Sequence, residues 1–408
     1  MTGHSGIRET IERAARDSRS RLLAFLAARS HDLAAAEDAL SEAFRSALET
    51  WPRDGVPNQL EAWLLTAARR RLVDAARHVQ VHARAVPELL AAVNDAQAML
   101  DEELTFPDER LKLMFVCAHP AIDAGARTPL MLQTVLGLDA ARIASAFLVK
   151  PAAMGQRLSR VKTKIRDAGI AFEIPGSDGL PARLDAVLEA IYAAYGSGWD
   201  DIAGADPRRK GLANEALELG ALLLQLLPNE PEARGLLALM LYCESRRAAR
   251  RDDGGHYVPL SEQDTTRWSA PMIVQADRLL REAERAGRIG RFQLEAAIQS
   301  VHAQRARDGR TDWESLALLY EGLVRIAPAI GALVGRAAAV AQARGAQDGW
   351  EWLQQIPAEA VASYQPYWAL AAHLLAQMQR PDEAHAARER AIGLCEDEAM
   401  RRFLMRQA

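Results

Sequence analysis

Apolar residues recur at spacings of three and four along almost the whole chain, and the alternation at two that a half-buried strand needs is scarce. Ala, Leu, Arg and Glu dominate, all strong helix formers. A chain patterned this way builds its core by packing helices on helices, so the expected fold class is all-α. The clearest stripe is Leu33, Ala36, Leu40, Ala43 with Phe44, Ala47 and Trp51, opened by Asp32 as a cap. From Trp51 to Pro57 two prolines, a glycine and the loss of periodicity predict a loop. Asn58 is then the expected cap of a helix from Gln59 to His78, with Leu60, Leu64, Ala67, Ala68, Leu72 and Ala75 inward. With a further stretch ahead of Asp32, residues 8–80 hold three helical segments.

A length of 408 residues exceeds one ordinary domain. Residues 79–107 form a weak link, basic from His78 to Ala85, broken at Pro87 and acidic at Asp101, Glu102 and Glu103. A second helical unit follows from Asp108 to Gly169, and Ile174 to Pro181 has the composition of a linker. The remainder is helix after helix, interrupted by Asp252 to Pro259. Three degenerate helical pairs can be read in it: Leu223 to Leu239, Tyr320 to Ala341, and Tyr367 to Leu394, with Pro228, Pro328 and Pro381 between their helices. The cadence is that of tetratricopeptide repeats, and an irregular helical array is the plainer alternative. The expected boundaries are 1–80, 81–107, 108–172, 173–181 and 182–408.

The net charge of −4 divides into +2 over residues 1–169 and −6 over the rest, so the two ends are suited to different partners. Opposite signs would favour a modest, salt-dependent attraction between them. Three well-separated cysteines, Cys117, Cys243 and Cys395, argue against a disulfide framework and for a cytoplasmic protein. Arginines interrupt the start, and uncharged runs are too short to span a bilayer, so neither a leader nor a membrane segment is expected.

One segment carries a specific chemistry. Ala140 to Phe147 predicts a short helix, Leu148 to Lys150 a turn, and Pro151 opens a second helix where its missing N–H costs nothing. Leu138, Ile143, Ala144, Phe147 and Val149 would face Met154, Leu158, Val161 and Ile165 across a small core. This leaves Ala152, Ala153, Gln156, Arg157, Arg160, Lys162 and Lys164 outward. Small residues let a helix sink into a groove, Gln and Arg present forks that match base edges, and later cations meet phosphate. Six cations lie between Lys150 and Ala168 against one acid, Asp167. The pattern predicts a helix-turn-helix with a DNA-reading second helix; an amphipathic surface helix that happens to be basic is the alternative.

Gly137 to Ala144 and Met154 to Lys162 together resemble the region four of extracytoplasmic-function RNA polymerase sigma factors, which binds the −35 promoter element. Ala36 to Phe44 resembles the core-polymerase-binding helix of region two, and Ala62 to Asp74 its −10 helix. Asp108 to Pro120, Arg291 to Ile298 and Thr311 to Trp313 are similar to signatures of the subgroup with a C-terminal tetratricopeptide-like domain. The resemblance implies region two over 1–80, a region-four helix-turn-helix over 108–172 and an irregular repeat domain over 182–408. It implies a non-enzymatic, cofactor-free protein that binds core RNA polymerase and promoter DNA and initiates transcription, its repeat domain modulating activity or binding a protein partner. Glu37, Asp38, Ser41 and Glu42 would contact polymerase. Arg53, Asn58, Arg69, Arg70, Arg71 and Arg77 would hold single-stranded −10 DNA by charge and a base pocket. Ser41 stands where the family usually has Gln, and Arg70 where it often has Asn, so promoter sequence does not transfer. Gly155 replaces a residue more often basic and costs about 1 kcal/mol of helix propensity.

Other features carry less. Cys117 and His119 lack a second pair for zinc, so no metal is expected. Gly254 and Gly255 lack the Lys and Ser or Thr of a phosphate loop. Asp264, Arg267 and Trp268 are expected to brace a loop. Trp268, Trp313, Trp350, Trp352 and Trp368 are expected to anchor the helical array, with a ligand-binding face as the alternative. A duplex-DNA regulator that never engages polymerase is the rival function.

Overall fold

The computed structural model describes residues 18–19, 22–23, 25–27, 30, 32–80, 108–147, 149–167, 176–199 and 211–406; of residues 75–80, 166, 177 and 198–199 it describes the backbone alone. The fold is all-α: no strand forms among the described residues, and Arg251 and Tyr257 share an isolated antiparallel bridge. No helix among them is long and apolar enough to cross a membrane. The chain divides into two compact units, Met1–Ser197 and Gly198–Ala408.

The front unit opens on α1 (Leu33–Asp54), capped where expected: Asp32 Oδ1 accepts from the Ala35 N–H at 3.0 Å. Leu33, Ala36, Ala39, Leu40, Ala43, Ala47 and Trp51 make its buried stripe. They pack on α2 (Leu60–Gln80), whose Leu64 and Ala68 are buried, and Trp51 meets Trp63 edge to face at 5.4 Å. Two local expectations are corrected. Helix α1 continues through Trp51 and Pro52 to Asp54. A proline there deletes one hydrogen bond of the last turn, while the buried Trp51 ring holds that turn in place. The helix stops at Gly55, where φ is +86°. Asn58 is not the cap of α2, because the first helical hydrogen bond runs from the Trp63 N–H to the Gln59 carbonyl.

Helices α3 (Glu109–Cys117), α4 (Ala124–Thr134), α5 (Ala140–Ala146) and α6 (Pro151–Asp167) follow. Asp108 caps α3 and also holds the Arg110 guanidinium at 3.0 Å. After Ile174 to Pro181, of which 174–175 lie outside the described residues, comes α7 (Pro181–Trp199). Its start belongs by packing to the front unit: buried Arg183 donates to the Phe115 carbonyl at 2.9 Å, and Thr128 donates to the Ala186 carbonyl. Composition places the division at 173–181, whereas the compact units divide after Ser197. The link 81–107 lies outside the described residues.

The back unit runs through α8 (Leu212–Leu226), α9 (Pro231–Ser245), α10 (Ala270–Glu284), α11 (Arg291–Asp308), α12 (Trp313–Ile326), α13 (Ile330–Arg344), α14 (Ala346–Gln354), α15 (Ala358–Val361), α16 (Gln365–Gln377), α17 (Pro381–Leu394) and α18 (Glu398–Arg406). Helices pack mainly on their chain neighbours, α9 on α10 and α11, α12 on α13, α16 on α17. The crossing of α9 and α11 is locked by one carboxylate. Glu232 accepts from the Phe292 and Gln293 N–H groups at 2.9 and 3.2 Å and from the Gln293 amide at 3.0 Å. Helix α11 has no cap of its own, Gly290 being its N-cap residue. Gly235 lets the helices approach so closely that a Cβ there would lie 2.7 Å from the Gln293 nitrogen. Asp312, by contrast, caps its own helix, accepting from the Ser315 N–H at 3.0 Å.

The tryptophans of this unit are less uniform than expected. Trp268 is buried; Trp313, Trp350, Trp352 and Trp368 are half-buried. Three of the latter lie under guanidinium groups: Arg336 over Trp352 at 3.9 Å, Arg390 over Trp368 at 4.4 Å and Arg380 over Trp350 at 5.5 Å. The loop reading of Asp264 to Trp268 holds in detail. Asp264 accepts from the Thr266 N–H, Arg267 approaches Asp253 at 3.6 Å, and Arg305 covers the Trp268 ring.

Candidate functional site

Helix α6 separates its residues as the spacing predicts. Met154, Leu158, Val161 and Ile165 are buried, against Leu138, Ile143 and Ala144 from α5 and the segment before it. Phe147 and Val149 are half-buried, and Leu148 lies outside the described residues. Asp139 fixes the start of α5 by accepting from the Arg142 N–H at 3.0 Å. On the opposite face Ala152, Ala153, Gln156, Arg160 and Lys164 are exposed. Arg157 is half-buried, its guanidinium 3.4 Å from the Gly125 carbonyl. A shallow groove beside α6 is lined by Ile122, Ala126, Val161 and Ile165, by the cations Arg157, Arg160 and Lys164, and by one acid, Asp123. Gly155 has open space where a side chain would project. The arrangement can present cations and an amide to a polyanion while an apolar face anchors the helix.

On α1, Asp38 and Ser41 are exposed, and Ser41 turns its hydroxyl back to the Glu37 carbonyl at 2.8 Å. Glu42 is engaged by Arg45 and, at 2.9 Å, by Arg71 of α2. The Arg45 hydrogen bond and the charges of Arg45 and Arg71 hold the Glu42 carboxyl below its ordinary range against a desolvation that opposes them. On α2, Arg70 is exposed and Arg69 lies over the Phe25 ring at 5.6 Å. Arg53 is exposed in the last turn of α1, and Asn58 is exposed in the segment between the helices. Arg77 lies on α2, and its side chain is outside the described residues.

Two expected partners are thereby joined to each other. Glu42 and Arg71, assigned to different ligands, form one ion pair, and so do Glu37 and Lys162, whose Nζ lies 2.6 Å from Oε2 across 125 residues of sequence. Sequence reasoning also passed over Arg45 and Leu48. Asp38, Ser41, Arg45 and Leu48 are all exposed and share one face at spacings of three, four and three, which the sequence would have revealed as the complement of the buried stripe. Leu48 and, on α2, Val73 are each 47% exposed. Cys117 is buried beside Thr134, and His119 accepts from the Ala121 N–H at 3.1 Å. Among the described residues no three His, Cys, Asp or Glu side chains gather as a metal would require.

Two family descriptions match the chain. Residues 15–80 match Sigma-70 region 2, and residues 183–284 match a family of unknown function (DUF6596). The second match begins within α7 of the front unit and ends at the close of α10. The chain is 39% identical over 364 residues to "Uncharacterized protein R00370" of Rhizobium meliloti (strain 1021), covering 88% of this chain and 86% of that protein. No solved structure matches it.

Proposed function

We propose, from the Sigma-70 region 2 match over residues 15–80, that the chain is an alternative sigma factor of the extracytoplasmic-function type with a fused regulatory helical array, a design it would share with the uncharacterized Rhizobium protein that it resembles over most of its length. Core RNA polymerase docks on α1 through Asp38, Ser41, Glu37 and Glu42. Arg53, Asn58, Arg69, Arg70, Arg71 and Arg77 hold the melted −10 strand by backbone charge and a base pocket. The α5–turn–α6 pair is a helix-turn-helix that reads the −35 element, with Ala152, Ala153, Gln156, Arg157 and Arg160 at base edges and Lys162 and Lys164 on phosphate. Polymerase performs the chemistry; this chain selects the start site. The array, read as tetratricopeptide-like, modulates that output or recruits a protein partner.

The observation that carries this reading is the outward face of α6, polar and cationic opposite a fully buried apolar stripe, in a chain that carries region two. Its test is run-off transcription with the purified chain and core polymerase on genomic fragments. Discrete promoter-dependent transcripts are expected; their absence with folded protein and active core removes the reading. The engagement of Glu37 and Glu42 by cations of the same chain favours a second reading, a duplex-DNA regulator that leaves polymerase alone. Reversing Asp38 and Glu42 to Lys separates the two. A sigma factor loses co-purification with core polymerase and keeps duplex binding, whereas the regulator shows no core association to lose.

A further inference from the structure

The Glu37–Lys162 pair joins the polymerase-docking helix to the DNA-reading helix inside one compact unit. Both side chains are largely shielded, 14% and 22% exposed. Oε1 of Glu37 is buried with no hydrogen-bond partner among the described residues. The nearby Cys117 thiol, pushed up to about 12 mainly by burial, stays neutral and supplies no competing charge. Elsewhere in the unit, a Cβ on Gly137, just ahead of α5, would sit 3.9 Å from the Arg19 guanidinium. The contact therefore covers Glu37 while leaving Asp38 and Ser41 of the same helix, and Ala152, Ala153 and Gln156 at the start of α6, open.

A largely shielded ion pair with an oxygen that has no partner among the described residues suits a contact made to be broken. Its Coulomb attraction is largely offset by desolvation, so the net hold is small, yet removing one partner leaves the other poorly solvated. We propose that Glu37–Lys162 is a self-masking latch. In the free chain the C-terminal half of α6 lies on part of the polymerase face of α1, and polymerase and −35 DNA each bind by taking one member of the pair. The inference rests on the proposed roles of α1 and α6. DNA that withdraws Lys162 then raises the affinity for polymerase, and polymerase that withdraws Glu37 raises the affinity for DNA by the same factor.

The test uses the full chain. Nitroxides on Thr66→Cys and Ser145→Cys, exposed on α2 and α5, with Cys243 replaced by Ala, report the separation of the two helices by pulsed electron resonance. One narrow separation is expected without ligands, a longer or broader one in Lys162→Glu, and a return to the narrow one in the Glu37→Lys, Lys162→Glu double variant. The charge-swapped chain keeps the test decisive if a single variant folds poorly. In parallel, without DNA, Lys162→Gln should bind core polymerase about 3- to 10-fold more tightly than the natural chain, a gain of the size usual for coupled sites. A mere phosphate contact predicts no change there, and a purely structural lysine predicts weaker binding. Either result, or a separation that Lys162→Glu leaves unaltered, overturns the latch alone. Absence of polymerase binding in every variant overturns the masking together with the sigma reading beneath it.

Discussion

Glu232 does for α11 what a local Ser or Asp does for most helices, from a helix some sixty positions earlier. Removing it leaves two backbone donors short of an acceptor and the Gln293 amide with the Arg288 carbonyl alone, in a half-buried crossing. A charged hydrogen-bonding group lost from such a place costs about 1–3 kcal/mol. Glu232→Ala should therefore lower the urea midpoint of the back unit's transition, while Asp312→Ala, which removes a single local cap, should cost about 1 kcal/mol. His302 provides a pH signature. Burial, reinforced by Arg246 and Arg305, lowers it from 6.5 to about 4, so the folded chain resists protonating it. Because the folded value lies below the unfolded one, this contribution is complete above pH 6.5 and is lost as pH falls from 6.5 towards 4. The loss is on the order of 3 kcal/mol. Denaturation at pH 7.5 and pH 5 should show the natural chain losing more stability than His302→Gln; equal losses would mean that the imidazole is hydrated in the folded state.

Among the elements, α6 shows stability and recognition separated on one helix. Its inward residues are buried, and of its outward ones Lys162 is held by Glu37 and Arg157 by the Gly125 carbonyl. Gly155 weakens the helix without an observable packing reason, since a methyl group there meets nothing within 4 Å. Gly155→Ala should raise the stability of the front unit by about 0.5–1 kcal/mol in chemical denaturation and leave −35 duplex affinity within about two-fold. Arg160→Ala should do the reverse, leaving stability near the natural value. It should weaken duplex binding by about 1–3 kcal/mol if it reads a base, or lower the salt slope by about one unit if it holds phosphate. A Gly155→Ala chain that loses duplex binding outright would place the helix backbone against the groove at that turn.

For the whole molecule, the end of the front unit decides how it can be dissected. A chain cut after Gly176 loses α7, and with it the Arg183 bond to Phe115 and the buried Leu184, Val187, Leu188 and Ile191. A chain cut after Ser197 keeps them. The longer fragment should unfold cooperatively with a midpoint well above that of the shorter one, and in reconstituted transcription it should differ several-fold from the full chain if the array modulates output. Equal activity would make the array an independent binding module. The sequence alone determined the all-α class, the two-sided character of α6 and the buried stripe of α1, because each follows from spacing within a single helix. The cap at Asp32 is likewise local, a side chain reaching an N–H three residues on; those at Asp108, Asp139 and Asp312 are as local but were not read from the sequence. The tertiary structure decided which unit owns α7, how Glu232 serves α11, and that Glu37 meets Lys162. Those depend on which helices lie side by side, and the same carboxylate or cation would read as a solvated surface group until packing gives it a neighbour.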